Sequence, residues 1–139
     1  MSFLFLEPPA LRRLWLVAGW VGVIGVVVLS LIPPPPAILG VENEDKLGHL
    51  LAYGLLMWWF AQDVLAARRR SGVALALIAL GVALEFLQGW GGLRTFSVAD
   101  MVADAAGVAV GWALAPPRLP NLLQRATAAL QRWTRRDAG

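Results

Sequence analysis

Asp45, His49 and Tyr53 follow one another at a spacing of four in the stretch NEDKLGHLLAY (43–53). On a helix that spacing stacks them on one face, and Lys46, three before His49, lies close by. Two further stretches interrupt apolar sequence with the same kind of residue: LEFLQ at 84–88, with Glu85 and Gln88, and LRTFSVADMVAD at 93–104, with Arg94, Asp100 and Asp104. A histidine beside a carboxylate can move protons as a general acid–base pair, and an arginine fork can hold a phosphate or carboxylate. The candidate catalytic residues are therefore His49, Glu85 and Asp100. The candidate ligand-binding set is Asp45, Lys46, His49, Tyr53, Glu85, Gln88, Arg94, Asp100 and Asp104. The set offers one His and no rigid pair of ligands, so neither a metal nor a cofactor is expected. Plainer roles stand beside these. Asp45 and Asp100 also fit acids at helix N-termini, and Glu85 with Arg94 fits an ion pair that orders the loop between them.

The rest of the chain explains why such residues stand out. It has 139 residues, enough for a single domain, and is 58% hydrophobic and 15% charged, with a mean hydropathy of +0.64. That balance is shifted from a soluble domain toward a membrane protein. There is no cysteine, which removes disulfides and thiolate metal sites. The pI of about 10.6 does not indicate nucleic-acid binding, because the Arg residues form short clusters beside apolar runs, the pattern of membrane topology.

Four apolar segments emerge, predicted as spans near 14–32, 46–66, 72–90 and 98–115. The first carries no charge and is long enough to cross a ~30 Å hydrocarbon core. It exceeds a signal-peptide core and no small-residue cleavage site follows, so it reads as a retained helix. Pro33 to Pro36 stop it. Asn43 is the expected N-cap of the second span. The sequence GWGG at 89–92 reads as a turn, and Ser97 with Asp100 as a capping box opening the fourth span. Pro116 and Pro117 end that span. Gly107 and Gly111 form a small-xxx-small pair, read as close packing inside the bundle rather than a dimer face. Trp15, Trp90 and Trp112 are candidates for an interfacial aromatic belt. From Leu119 to Arg136 apolar residues recur at helical spacing among arginines, predicting an amphipathic helix lying on a membrane surface. The expected fold is all-α: a four-helix transmembrane bundle with a C-terminal amphipathic interfacial helix, all one domain over 1–139.

Charge sets the orientation. Arg12 and Arg13, then Arg68, Arg69 and Arg70, then Arg118, Arg125, Arg132, Arg135 and Arg136 lie on one side of the four spans; Lys46 and Arg94 alone lie on the other. The positive-inside rule places both termini in the cytoplasm. The candidate residues then share the outer end of the bundle. A charge at mid-bilayer costs upwards of ~2.5 kcal/mol, so Glu85, the deepest, calls for a partner: His49, Lys46 or Arg94. The expected arrangement is a hydrogen-bonded network of His49, Glu85, Arg94 and Asp100.

Together these residues resemble the VanZ-like membrane proteins, named for a protein of glycopeptide-resistance clusters. The resemblance is carried by Leu29 to Pro33, Asp45 and Lys46 with His49 and Tyr53, Glu85 with Gln88, Arg94, Asp100 and Gly107. Asp104 departs from it: many members carry Asn there, and the change adds a negative charge. The resemblance implies a small polytopic protein of the bacterial cytoplasmic membrane, and for the founding type modest resistance to teicoplanin. On the residues, three activities are open. One is an accessory module whose outer polar pocket binds a lipid head group, a lipid-linked glycan or a partner subunit of a larger membrane complex. The alternative is a small intramembrane enzyme acting on a lipid phosphate or ester at the outer leaflet. Proton or ion movement is the third, and apart from Asp63 near the end of the second span it lacks charged residues in the cytoplasmic halves of the spans.

Overall fold

The computed structural model describes residues 8–33, 43–63, 67–92 and 94–136, and among these it is helical throughout, with no strand. Five helices follow in order: α1 (Pro8–Leu31), α2 (Glu44–Ala61), α3 (Ala67–Gly91), α4 (Val98–Leu114) and α5 (Leu122–Arg136). The proline run from 34 onward, the acidic linker to Glu42 and the last residues of the expected second span, 64–66, lie outside the described residues.

The helix ends differ from expectation in physically instructive ways. α1 begins at Pro8, six residues early, since proline is tolerated in a first turn; Arg12 is therefore helical and pairs with Asp63 beyond the end of α2. Asn43 does not cap α2 with its side chain. It sits at φ 62°, ψ 30°, a left-handed conformation that Asn tolerates better than most residues. α2 closes at Ala61 with tight backbone bonds from Gln62 and Asp63 to Trp59 and Phe60. The GWGG segment is not a turn: α3 runs through Gly91, and the chain reverses at Gly92, whose φ of 65° suits glycine. Ser97 does cap α4, its Oγ accepting from Asp100 N at 3.2 Å.

Packing centres on α2 against α4. Gly54 faces Gly107 and Gly111 so closely that a Cβ on Gly107 would lie on the Leu50 carbonyl oxygen, and one on Gly111 on the Gly54 carbonyl oxygen. Around this crossing the core gathers Tyr53, Leu56, Met57 and Ala61 of α2, Ala74 and Leu77 of α3, Val108 of α4, and Ala115. α1 joins through Gly19, which lies under Phe60 and Trp59, and through Trp15, whose ring stacks on Trp59 at 3.9 Å. Each of these two indoles donates to the other's backbone carbonyl, so Trp15 is a packing residue, as is the half-buried Trp112. Trp90 stands 89% exposed.

Contacts at the two ends show that α1 to α4 alternate in direction. At one end Arg12 of α1 meets Asp63, and Arg70 of α3 donates to the carbonyls of Ala61 and Pro116. At the other, Gln88 of α3 donates to Ser30 O of α1 at 2.7 Å, and α2 meets α4 through His49 and Asp104. α5 starts at Leu122, after Pro120, with Asn121 capping it through Gln124 N. Its entry is fastened to the bundle: Asn121 donates to Gln62 O, Leu122 N donates to Gln62 Oε1, and Leu123 is buried. Beyond that the helix is largely exposed.

Two helices, over Pro9–Leu31 and Arg68–Gly91, are long and apolar enough by themselves to cross a membrane. α2 opens with Glu44, Asp45 and Lys46, and α4 has 17 residues, about 26 Å at 1.5 Å per residue.

Candidate functional site

The polar residues at the Ser30–Gln88 end come from three helices. α2 supplies Lys46 and His49, α3 supplies Glu85, and the first two turns of α4 supply Asp100 and Asp104. His49 Nδ1 lies 2.9 Å from Asp104 Oδ1. An ionised carboxylate only accepts, so in the state with Asp104 ionised and the ring neutral the ring proton is on Nδ1 and the lone pair on Nε2. Nε2 is 4.0 Å from Asp100 Oδ2, beyond hydrogen-bonding distance. One ligand atom each from His49, Glu85 and Asp100 can be chosen so that all lie within 4.8 Å of one another.

Each acid is held differently. Asp104 is 2% exposed and sits in a notch left by Gly81 of α3, where a Cβ would be 3.1 Å from its carboxyl carbon and 3.2 Å from its Cβ. Glu85, 1% exposed, accepts the backbone N–H of Ser97 at 2.9 Å. It thus binds the residue that begins α4, and takes the backbone donor that a reciprocal capping box would have given to Asp100. Asp100 pairs through Oδ1 with Lys46 Nζ at 3.4 Å; that oxygen is buried and has no hydrogen bond among the described residues. Lys46 also pairs with Asp45 at 3.0 Å. Asp45 is exposed at the mouth of α2, ahead of the expected span, and the Lys46 ammonium holds its carboxyl below the usual carboxylate range.

The remaining candidates separate from this cluster. Tyr53 turns into the apolar core beside Leu56 and Met57. Gln88 is spent on Ser30 O and ties α3 to the end of α1. Arg94 does not join the expected network: among the described residues it forms no ion pair, and its Nε is buried without a hydrogen-bond partner. The reason is local. Glu85 finds its donor in the Ser97 backbone, so the fold does not call on the guanidinium. Sequence reasoning missed Gly81 and Ser97 as supports of the cluster. The spacing of Gly81 four before Glu85 was visible, but its use as a notch depends on how α4 crosses α3.

The resemblance read from the residues of this helical chain is matched by the family comparison. The VanZ/LLP1 family model matches residues 15–123. The chain belongs to that family. No curated protein matches it, and no solved structure does.

Proposed function

We propose that the protein is a single-domain, four-span protein of the bacterial cytoplasmic membrane, with both termini inside, whose outward polar end binds the head group of an anionic envelope lipid or lipid-linked glycan. One observation carries this reading: the inside-out distribution of residues. Glu85, Gln88, Asp104 and Gln62 are buried, while Leu51, Leu55, Val102 and Trp20 are each about 60% exposed. Large exposed apolar surface of this extent suits lipid, and buried polar residues suit a bundle interior in lipid. It supports spans in α2 and α4 even though their polar mouths make them weaker candidates than α1 and α3. The two cations of the outer loops, Lys46 and Arg94, fit the same picture. Among the described residues Lys46 is engaged by two acids and Arg94 by none, which leaves the Arg94 guanidinium to take an anionic oxygen pair.

Reporter fusions after Pro36 and after Arg94 are expected to score as external, and fusions after Arg69 and at the C-terminus as cytoplasmic; an external C-terminus would overturn the orientation. For ligand binding, the purified protein in detergent is expected to retain phosphatidylglycerol over phosphatidylcholine, read by native mass spectrometry. Arg94→Ala should lose that preference while melting at the same temperature, because among the described residues no acid is left unpaired. Equal retention by wild type and Arg94→Ala would remove the head-group reading. In a susceptible bacterial host the same pair of proteins tests whether the chain shifts teicoplanin sensitivity, as the family's founding type implies.

A second reading, an enzyme acting on a lipid phosphate or ester, is favoured by the His49–Asp104 pair, which orients an imidazole as general bases are oriented. Release of phosphate or fatty acid from lipid by the purified protein, lost in His49→Ala, would establish it in place of simple binding.

A further inference from the structure

We propose that His49, Glu85 and Asp100 form a binding site for one divalent transition-metal ion, Zn2+ or Mn2+, with Asp104 as the outer carboxylate that orients the histidine. The sequence argued against a metal because it offers one His and no rigid ligand pair along any helix. The fold supplies the rigidity across helices instead. Three side chains from α2, α3 and α4 bring ligand atoms within 4.8 Å of one another, and each helix is fixed at this level by other contacts: Glu85 by the Ser97 N–H, α4 by the Gly107 and Gly111 crossing.

Four observations point to a cation and not merely to a group of acids. The His49 ring is presented as metal-bound histidines are, with Nδ1 on a buried carboxylate at 2.9 Å and Nε2 left as the donor; this carboxylate–histidine arrangement fixes tautomer and ring orientation. Nε2 stands 4.0 Å from Asp100 Oδ2. That is too long for a hydrogen bond and slightly wider than the ~3–3.4 Å edge between two ligands that each sit about 2.1 Å from one ion. Asp100 Oδ1 is buried without a hydrogen bond among the described residues, and its contact there is the Lys46 ammonium at 3.4 Å, longer than a metal–oxygen bond would be. Glu85 is 99% removed from solvent by its exposure of 1%, and it has no ion pair among the described residues. Three carboxylates thus converge on one imidazole, and among the described residues the one ammonium in contact, Lys46, touches Asp100 alone of the three. A dication is the charge this arrangement lacks.

The donor set selects the ion. One imidazole nitrogen with carboxylate oxygens suits Zn2+ or Mn2+, whereas Mg2+ and Ca2+ favour all-oxygen surroundings. Three protein ligands leave a coordination position for water or a ligand oxygen. The site does not depend on what Arg94 holds, so it stands apart from the head-group reading.

The test is a titration of the full-length protein in detergent, stripped with EDTA and desalted, with ZnCl2 by calorimetry and MnCl2 by electron paramagnetic resonance. One equivalent is expected to bind, undisturbed by a large excess of MgCl2. Asp104→Asn should weaken binding about 10–100-fold, the usual effect of losing an outer-shell carboxylate; His49→Ala and Glu85→Gln should weaken it further. Asp45→Asn and Arg94→Ala should bind as wild type does. Should Glu85→Gln fail to fold, Asp100→Asn takes its place as the ligand deletion. Absence of saturable binding, or wild-type affinity in His49→Ala and in the folded carboxylate variant, would overturn the site. Loss of metal in Arg94→Ala would equally show that the ion sits elsewhere. Metal binding with no lipid preference would leave the site standing and remove only the head-group reading.

Discussion

Gly107→Leu and Gly111→Leu should each separate α2 from α4 and cost far more than an ordinary core substitution. Overpacking a core usually costs about 1–3 kcal/mol, because side chains can shift to make room. Here the obstacle is backbone. A Cβ on Gly107 would lie on the Leu50 carbonyl oxygen and 3.0 Å from Gly54 N, and a Cβ on Gly111 would lie on the Gly54 carbonyl oxygen and 3.0 Å from Met57 Cβ. Neither helix can yield locally, so the two must move apart along their length. That opens the core around Tyr53 and Met57 and pulls His49 away from Asp104. The contrast is built into the same chain. Gly25 and Gly48 have nothing within 4 Å of an added Cβ, and alanine there should be neutral or stabilising by up to about 1 kcal/mol, as helix propensity dictates. Thermal unfolding in detergent, followed by circular dichroism, compares the four variants. Similar melting temperatures for Gly111→Leu and Gly48→Ala would mean that α2 and α4 do not meet as described.

The crossing was legible in part. The Gly107 and Gly111 spacing named one side of it and gave its role as internal packing, but Gly54 carries no such spacing and was invisible until its helix was laid against α4. The same division runs through the site. Hydropathy and charge located the end of the bundle where His49, Glu85, Asp100 and Asp104 meet, because a carboxylate in an apolar helix stands out in one dimension. Which group answers which is a question of side-chain direction, and there the chain order misled. Arg94, the obvious partner by charge, is passed over in favour of a backbone N–H at Ser97, and Tyr53, on the same helical stripe as His49, turns into the core. Helix ends followed a similar rule. Ser97, whose cap is local, was readable, whereas Asn43 and the Gly89 to Gly92 segment were not, because backbone conformation there is settled by what the neighbouring helices require.

Arg70→Ala should be the most damaging change in the Arg68 to Arg70 cluster, although by sequence it is one of three equivalent residues. Arg68 and Arg69 are exposed, while Arg70 is 8% exposed. Its Nη1 donates to Pro116 O at 2.5 Å and its Nη2 to Ala61 O at 3.3 Å. The Ala61 carbonyl is in the last turn of α2, where a helix has no donors of its own left to offer, and Pro116 follows Ala115, the C-cap of α4. One guanidinium fork from the start of α3 thereby closes two helix ends that proline and a tight turn leave open. Ala61 and Pro116 are themselves buried, so water does not easily replace the lost donor. Orphaning a buried acceptor costs about 1–3 kcal/mol, which puts the loss for two at roughly 2–6 kcal/mol. Arg68→Ala and Arg69→Ala should lie within about 0.5 kcal/mol of wild type, as surface substitutions do. Arg70→Lys should recover only part of the loss, since an ammonium lacks the planar fork that reaches two carbonyls at once. The positive-inside signal is the same for all three alanine variants, so their insertion and orientation should not differ. Unfolding in detergent therefore isolates the hydrogen-bonding role from the topological one. If Arg70→Ala melts with Arg68→Ala, the arginine serves only as topological charge and the ends of α2 and α4 are satisfied by some other donor.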